Sequence, residues 1–499
     1  MKTILHILNM ITGVPQFELH LAQIYKSIEQ RKRNVRVLYC DGKIINKCEL
    51  NPFGRKNICA ACIARIDLIK SQFQNGSVEF ISFGDVERKN KINKEYQHYK
   101  ETDLDQLNIA VDSCVASHLR VKEFKYISNK WRIARKNLRI SARKNLNIVD
   151  LLLKISGDIE HVIVFNGRFP SAKAAILAAQ INRIGYISFD LNRGYNHYEF
   201  ENESLHSIEA TTKRALKLYH LDVKKATKTA LKFYSDKINN QYTFEKSYTK
   251  SQNKSISSLG LEGKEFITVF TSSDDEYRFL GKEWGDVKIV DQISEVRNLA
   301  NLVAPKQVIV RMHPNQYILR GRDLKEYKLL ENVKNIKLLL PTSKIKSYDL
   351  MQNSNIVVCF CSLIGPEAVH WGKKVLTVGP SPYMKLNIGY NIDTLNDVKT
   401  LPKIKVQKDH LHIGPIIWAN YLMRWIDVLP YYSHNGKGNH FVGEKAFPFR
   451  PKNPLYYLNK AEIKISKTGF FKYTFFKEIF LKAISLITGK AVGEHNILK

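Results

Sequence analysis

The chain has 499 residues, 44% of them hydrophobic and 11% aromatic, with 78 Lys and Arg against 47 Asp and Glu and a net charge of +31. That length is too great for one hydrophobic core, so two domains with an appendage are expected, and the composition is that of an ordinary globular protein. The charge calls for an acidic partner (nucleic acid, an anionic membrane face, or anionic glycan and nucleotide substrates) without choosing among them.

The opening Met1-Lys2-Thr3 leads into only a short apolar run, Ile4 to Leu8, interrupted by His6, which does not read as a signal peptide. No run approaches the ~18 apolar residues of a membrane span. A cytoplasmic protein is therefore expected, with its seven cysteines as thiols or metal ligands rather than disulfides.

Residues 3–8 are predicted as a buried strand, 17–30 as a helix with apolar positions Leu19, Leu21, Ile24, Tyr25 and Ile28, and 35–39 as a second strand. This β-α-β start predicts a parallel, doubly wound domain. Gly13 stands alone where a dinucleotide fingerprint needs several glycines, so NAD binding is not expected. Cys40, Cys48, Cys59 and Cys62 follow with the spacing C-x7-C-x10-C-x2-C. Four thiolates can close a tetrahedral structural zinc site, and ordinary buried or loop cysteines are the alternative.

Residues 87–146 read as helical and polar. Between 122 and 144 stand nine Lys and Arg against one Glu, with Tyr126, Trp131 and Leu138 interspersed, a pattern for a polyanion or membrane-surface contact or for a solvated helix face. A strand at 161–165 ends in Asn166-Gly167-Arg168, a small-residue helix covers 171–179, and a strand at 186–189 runs into Asp190-Leu191-Asn192-Arg193-Gly194. Polar groups at the carboxyl ends of successive parallel strands converge on one crevice, which makes Asn166, Arg168, Asp190 and Arg193 cleft candidates. A turn at Asn166-Gly167 and a cap at Asp190 are the plainer alternatives. The polar stretch 235–260 marks the domain boundary.

A strand at 266–270 then leads to Thr271-Ser272-Ser273-Asp274-Asp275-Glu276, and a helix is predicted over 289–303. The strand at 308–310 ends in Arg311-Met312-His313-Pro314-Asn315. His313, fixed by the proline after it, can hydrogen-bond or protonate a phosphate oxygen, and Arg311 can offer paired N–H donors to the same group. After a strand at 336–340 and a helix at 347–352, the buried strand 356–360 meets a break at Ser362 and Gly365. Pro366 fits the first turn of the helix that follows. A strand–turn–helix unit aims backbone N–H groups and a positive helix end at one spot, the usual cradle for a phosphate. Glu367 in that helix can accept from two ribose hydroxyls instead. A further strand is expected at 375–378 and a helix at 416–428, crossing back toward the first domain. From Tyr431 onward the tail carries twelve Lys and Arg against four Asp and Glu, with a helix candidate at 470–487 on which Lys472, Lys477 and Lys482 share no face. The expected division is a first domain over 1–250, a second over 251–425 and a basic aromatic extension over 426–499.

The segments FNGRFPSAKAAILAAQINRIGYISFDLNRG, FTSSDDEY, Asp291-Gln292, VRMHPN and CSLIGPEAVHWGKKVLTVGPSPY stand in the order found in bacterial capsule and surface-polysaccharide glycosyltransferases. Over residues 160–385 the chain resembles the capsule-synthesis proteins similar to Kdo transferases and, more distantly, polysialyltransferases. That resemblance implies a GT-B architecture, two Rossmann-like domains facing a cleft, with no metal required for transfer. It places His313 and Pro314 at the donor phosphate. Ser272, Ser273, Asn315, Ser362, Gly365 and Glu367 fall around the donor nucleotide, and Asn166-Gly167-Arg168 on the acceptor side. Relatives tend to carry a glutamate shortly before the glycine at 194; here Asp190 stands at a shifted position as the acceptor base. The expected partners are a nucleotide-sugar donor, a glycan or glycolipid acceptor, and the inner membrane surface or capsule assembly proteins. A sugar-nucleotide epimerase or hydrolase of the same fold is one rival. A basic nucleic-acid-binding protein is another, though no zinc-finger, RNA-binding or helix-turn-helix signature accompanies it.

Overall fold

The computed structural model describes residues 2–446 except 10–15, 44, 46, 74–75, 90–98, 192–196, 240, 242–248, 250, 285–288, 319–320, 396–412, 425–428, 430–431, 435–439 and 443–444. Gly13, Arg193 and the helix candidate at 470–487 lie outside the described residues.

The first half contains β1 (Thr3–Leu8), α1 (Gln16–Glu29), β2 (Asn34–Tyr39), α2 (Lys56–Lys70), β3 (Val78–Ser82), α3 (Phe83–Lys89), α4 (Glu101–Leu119), α5 (Asn129–Ser156), β4 (Ile159–Phe165), α6 (Pro170–Ile181), β5 (Gly185–Leu191) and β6 (His197–Glu201). Its sheet has the order β3-β2-β1-β4-β5-β6, parallel except for β6, which pairs antiparallel with β5. Alternation along β4 divides the core. Val162 and Val164 face the side covered by α4, α5 and α6, while Ile163 and Phe165 face the side covered by α1 and α2.

The second half contains α7 (Ile208–Leu221), α8 (Val223–Ile238), β7 (Phe266–Phe270), α9 (Gln292–Val303), β8 (Gln307–Arg311), α10 (Gly321–Lys328), β9 (Ile336–Leu339), α11 (Ser347–Asn353), β10 (Ile356–Cys359), α12 (Ile364–His370), β11 (Lys374–Val378), β12 (Tyr390–Ile392) and α13 (Ile413–Arg424). Its sheet is parallel throughout, in the order β12-β11-β10-β7-β8-β9. The fold is thus α/β with two doubly wound, Rossmann-like sheets, the GT-B plan that the resemblance implies.

Three local details depart from the sequence expectation. The helix expected from 289 begins at Gln292, because the Asp291 carboxylate accepts the Ser294 N–H and caps it. α12 begins at Ile364, so Gly365 stands inside the helix rather than in the break before it, and Pro366 falls in the first turn as expected. Helices α7 and α8, which precede the polar stretch in the chain, pack on α13 and share the second sheet's core, with Tyr234 of α8 donating to the Pro415 carbonyl at 2.7 Å. Beyond α13 the chain returns to the first half. Leu429 and Tyr432 join the core under α1, beside the small antiparallel sheet β13 (Tyr432–His434), β14 (His440–Val442) and β15 (Lys445–Ala446).

Candidate functional site

In each sheet the strand order reverses at the centre, between β1 and β4 in the first and between β7 and β10 in the second. Crevices outside the carboxyl ends of such strands are where open α/β sheets hold ligands. In the second sheet three tips end level, with Cys359 opposite Phe270 and Phe270 opposite Arg311. The tip of β7 continues as Thr271-Ser272-Ser273. The Thr271 hydroxyl accepts the His313 N–H at 3.0 Å and donates to the Gln316 side-chain oxygen at 2.6 Å, which ties this loop to the His313-Pro314 loop. Gln292 Oε1 accepts from Ser272 N at 3.0 Å, and both Gln292 and Gln316 donate to the Ser272 carbonyl, at 3.1 and 3.0 Å. A serine loop clamped by two buried amides is held in one conformation.

His313 Nδ1 accepts the Asn315 N–H at 3.1 Å. That bond assigns the ring proton of the neutral form to Nε2, the nitrogen a phosphate oxygen can use as donor. At the third tip Cys361 holds φ +52, a left-handed conformation that costs a non-glycine residue of the order of 1 kcal/mol. It packs beside Tyr277 and Trp284 of the loop that follows the serines. The Ser362 carbonyl accepts from Tyr383 Oη at 2.6 Å and from Gly365 N at 3.1 Å. His313, Ser272, Ser273 and the 361–365 turn therefore occupy neighbouring strand tips.

On the first sheet, Asn166 and Asp190 meet at the tips of β4 and β5, the Asn166 amide donating to Asp190 Oδ2 at 2.5 Å. Asn166 has φ +66 and Gly167 φ +79, and a Cβ on Gly167 would stand 3.1 Å from Ile176, so the turn needs glycine there. Burial pushes the Asp190 carboxyl up to about 6, against the opposing pull of the Asn166 hydrogen bond and the Arg168 charge. Arg168 reaches across the seam and donates to the Glu276 carbonyl at 2.8 Å, with Ser117 accepting from its other nitrogen at 2.6 Å. The Glu276 side chain accepts from Asn315 at 3.2 Å and from Arg120 at 3.4 Å, and Arg120 also pairs with Asp275 at 2.7 Å. The two sets of tips are thus joined by an unbroken chain of contacts running Asp190, Asn166, Arg168, Glu276, Asn315, His313.

Two expected residues face elsewhere. Arg311 is only 3% exposed, and its guanidinium donates to the carbonyls of Leu340 (3.4 Å) and Ser343 (3.1 Å). The loop leaving β9 has captured it, so it does not share a ligand with His313 here; burial lowers it to about 10. Glu367 is 5% exposed, accepts from the Tyr348 hydroxyl and lies 3.8 Å from Lys237 Nζ. Its carboxylate is engaged by α11 and α8 rather than presented to the seam.

Of the four cysteines, Cys40 accepts from Gly42 N and Cys59 from the Asn51 amide, both at 3.4 Å, and all are free. Among the described residues no three His, Cys, Asp or Glu side chains are disposed to hold a metal ion. No helix of the described residues is long and apolar enough to cross a membrane.

Sequence reading missed Asn9 and the bridging roles of Arg120 and Glu276. Asn9, at the tip of β1, exchanges 3.3 Å hydrogen bonds with both backbone groups of Phe165, locking the centre of the first sheet. A polar residue directly after the apolar run at 3–8 was the signal available for it.

No protein-family model matches the chain, and no curated protein sequence matches it. Among solved structures it is similar to the Thermosulfurimonas dismutans KpsC beta Kdo 2,7 transferase, at 12% identity and a TM-score of 0.33, over 55% of this chain and 79% of that one. It is also similar to the Methanocaldococcus jannaschii UDP-GlcNAc 2-epimerase solved with UDP-GlcNAc and UDP, at 10% identity and a TM-score of 0.26, over 88% and 97%. The Anabaena Alr3699/HepE structure with UDP is similar at 12% identity and a TM-score of 0.29, over 85% and 96%. Likenesses of this size carry no argument about what the chain does.

Proposed function

We propose that the chain is a glycosyltransferase that moves a sugar from a nucleotide-activated donor to a surface glycan acceptor. The observation that carries this reading is the convergence at one seam of two opposed sets of strand tips, one rich in phosphate-competent groups and one holding a poised carboxylate. On the second sheet, His313 Nε2, with the backbone N–H groups of Ser273 and of residues 362–364, stabilises charge on the departing phosphate, the largest expected catalytic contribution. On the first sheet, Asp190 takes the proton of the acceptor hydroxyl as its oxygen bonds the anomeric carbon and the sugar–phosphate bond breaks. Asn166 orients that carboxylate. Glu367 and Ser362 belong to the donor-nucleotide side of the same pocket, which requires Glu367 to exchange its Tyr348 contact for a ribose when donor binds.

The test begins with thermal stabilisation by CMP-, UDP-, GDP- and CDP-linked sugars, since a ligand that binds only the native state raises its melting point. A hit then serves as donor with candidate glycan acceptors. His313→Ala is expected to lose transfer by on the order of 10²-fold or more while remaining folded. Near-full transfer by this variant would refute the phosphate role. Conversion or hydrolysis of the donor without any acceptor would assign the same pocket to an epimerase or hydrolase instead.

A further inference from the structure

One face of the first domain takes no part in the site just described. The 120–128 segment and α5 enclose an open basin of about 560 Å³ lined by Phe124, Lys125, Arg132, Arg135, Lys136 and Arg139. Asp112 occupies two of these cations: Arg135 donates to both its oxygens at 2.6 Å, and Arg139 reaches it at 3.4 Å. Among the described residues no carboxylate pairs with Lys125, Arg132, Lys136, Arg143 or Lys144, all of them exposed. The inner face of α5 is spent on the core, where Trp131, Ala134, Leu138, Ala142 and Leu146 are buried. Its outer strip runs Ile133, Lys136, Ile140, Lys144, spaced three and four residues apart so that all four share one side of the helix.

Two isoleucines on that strip are 56% and 50% exposed, and Tyr126, in the segment that leads into α5, is 53% exposed. A soluble polyanion rewards the cations and does nothing for exposed isoleucine, which cannot stack on a base or a sugar ring. The boundary between lipid headgroups and acyl chains rewards both at once. From the mixture of cations without a carboxylate partner and bulky aliphatic side chains on one helix face, we infer that the strip of α5 and the Lys125-Tyr126 corner dock on an anionic phospholipid surface. Lys125, Arg132, Lys136 and Lys144 lie at phosphate depth, and Tyr126, Ile133 and Ile140 reach below it. The same 120–128 segment touches the second sheet's loops through Arg120, through Lys122 and through Phe124, whose ring is 5.0 Å from that of Phe279. Docking there sets the seam beside the bilayer.

The test uses the full chain, so that its basic tail is present in every sample. Co-sedimentation is measured with vesicles of phosphatidylcholine alone and of phosphatidylcholine mixed with phosphatidylglycerol, and binding to heparin is measured in parallel. The mixed vesicles are expected to bind, and the neutral ones not. Replacing Arg132, Lys136 and Lys144 by Gln weakens vesicle binding about fivefold per cation removed. Ile133→Ser with Ile140→Ser weakens it about tenfold while leaving heparin binding unchanged. Because all five positions are exposed, both variants are expected to melt with wild type. Vesicle binding equal to wild type in either variant overturns the docking surface; if the isoleucine pair alone is silent, the patch is a soluble-polyanion site.

Discussion

Glu18, in the first turn of α1, is fully buried, and among the described residues no other residue bonds either carboxylate oxygen. Burial pushes it from 4.5 up to about 8, although its own backbone N–H and, after that, the Arg65 charge pull the other way. A carboxyl raised on folding is protonated in the native chain at pH values where the unfolded chain has already ionised. The unfolded state therefore gains from each unit of pH between 4.5 and about 8. At pH 7 this amounts to roughly 3 kcal/mol against the fold. Glu18→Gln keeps the shape and removes the titration. Thermal melts should place the variant level with wild type near pH 4 and clearly above it at pH 8; a constant offset at both would mean that Glu18 is not neutral in the native chain. Asp190 obeys the same sign but has a different consequence, because the proposed base works only when ionised. The transfer rate of wild type should fall as pH drops through about 6. Asp190→Asn should lose on the order of 10²- to 10⁴-fold and the acid limb with it. A variant retaining that limb would move the base elsewhere.

At the scale of elements, the 361–365 turn is set by one close approach. A Cβ on Gly365 would lie 2.7 Å from Tyr383 Oη, the fully buried hydroxyl that donates to the Ser362 carbonyl. Gly365→Ala must push that ring aside and break the bond, at a cost of about 1–3 kcal/mol. Tyr383→Phe removes the obstructing oxygen, so the double variant should be more stable than the two single losses added together, a coupling that a cycle of denaturant midpoints measures. Strict additivity would show that the two side chains never meet. This turn, like the strands beneath it, was legible in the sequence, since an unbroken apolar run, a small-residue break and a proline each have a local physical meaning. Gln292 was legible only as a member of a motif. Its partner, the Ser272 backbone, is twenty residues away, and no local rule announces a side-chain clamp of that reach. Arg311 was misread for a related reason. Its neighbour His313 suggested a shared phosphate, but the carbonyls of Leu340 and Ser343 that hold it come from an adjacent strand's loop. The edge strand β6 escaped because three of its five residues, His197, Glu199 and Glu201, are polar, so no apolar run announces it.

Across the whole molecule, the described contacts between the halves include many charges. Arg120 pairs with Asp275 and Glu276, and Lys122 lies 2.7 Å from Asp291 and 3.0 Å from Glu326. Partly exposed pairs of this kind are worth about 0.2–1 kcal/mol each and weaken with salt. Asp275 is the exception, being buried; its carboxyl is raised by burial and held down chiefly by Arg120. A seam in which weak, screened pairs of this kind supply many of the described contacts is suited to opening for substrate. Arg120→Ala with Lys122→Ala should therefore open the halves without unfolding either sheet. Small-angle scattering is expected to give the variant a larger radius of gyration at low salt, and wild type should approach that value as salt is raised. Hydrogen exchange at residues 274–277 should quicken in parallel. Without Arg120 the buried Asp275 carboxyl rises further, and ionising it pulls the 274–276 turn toward water. The variant's opening must then grow with increasing pH, whereas opening caused only by lost surface pairs would be flat across neutral pH. A radius unchanged by either salt or the double substitution would show that other contacts hold the seam, and that Arg168, Glu276 and Asn315 form a fixed strut instead of a latch.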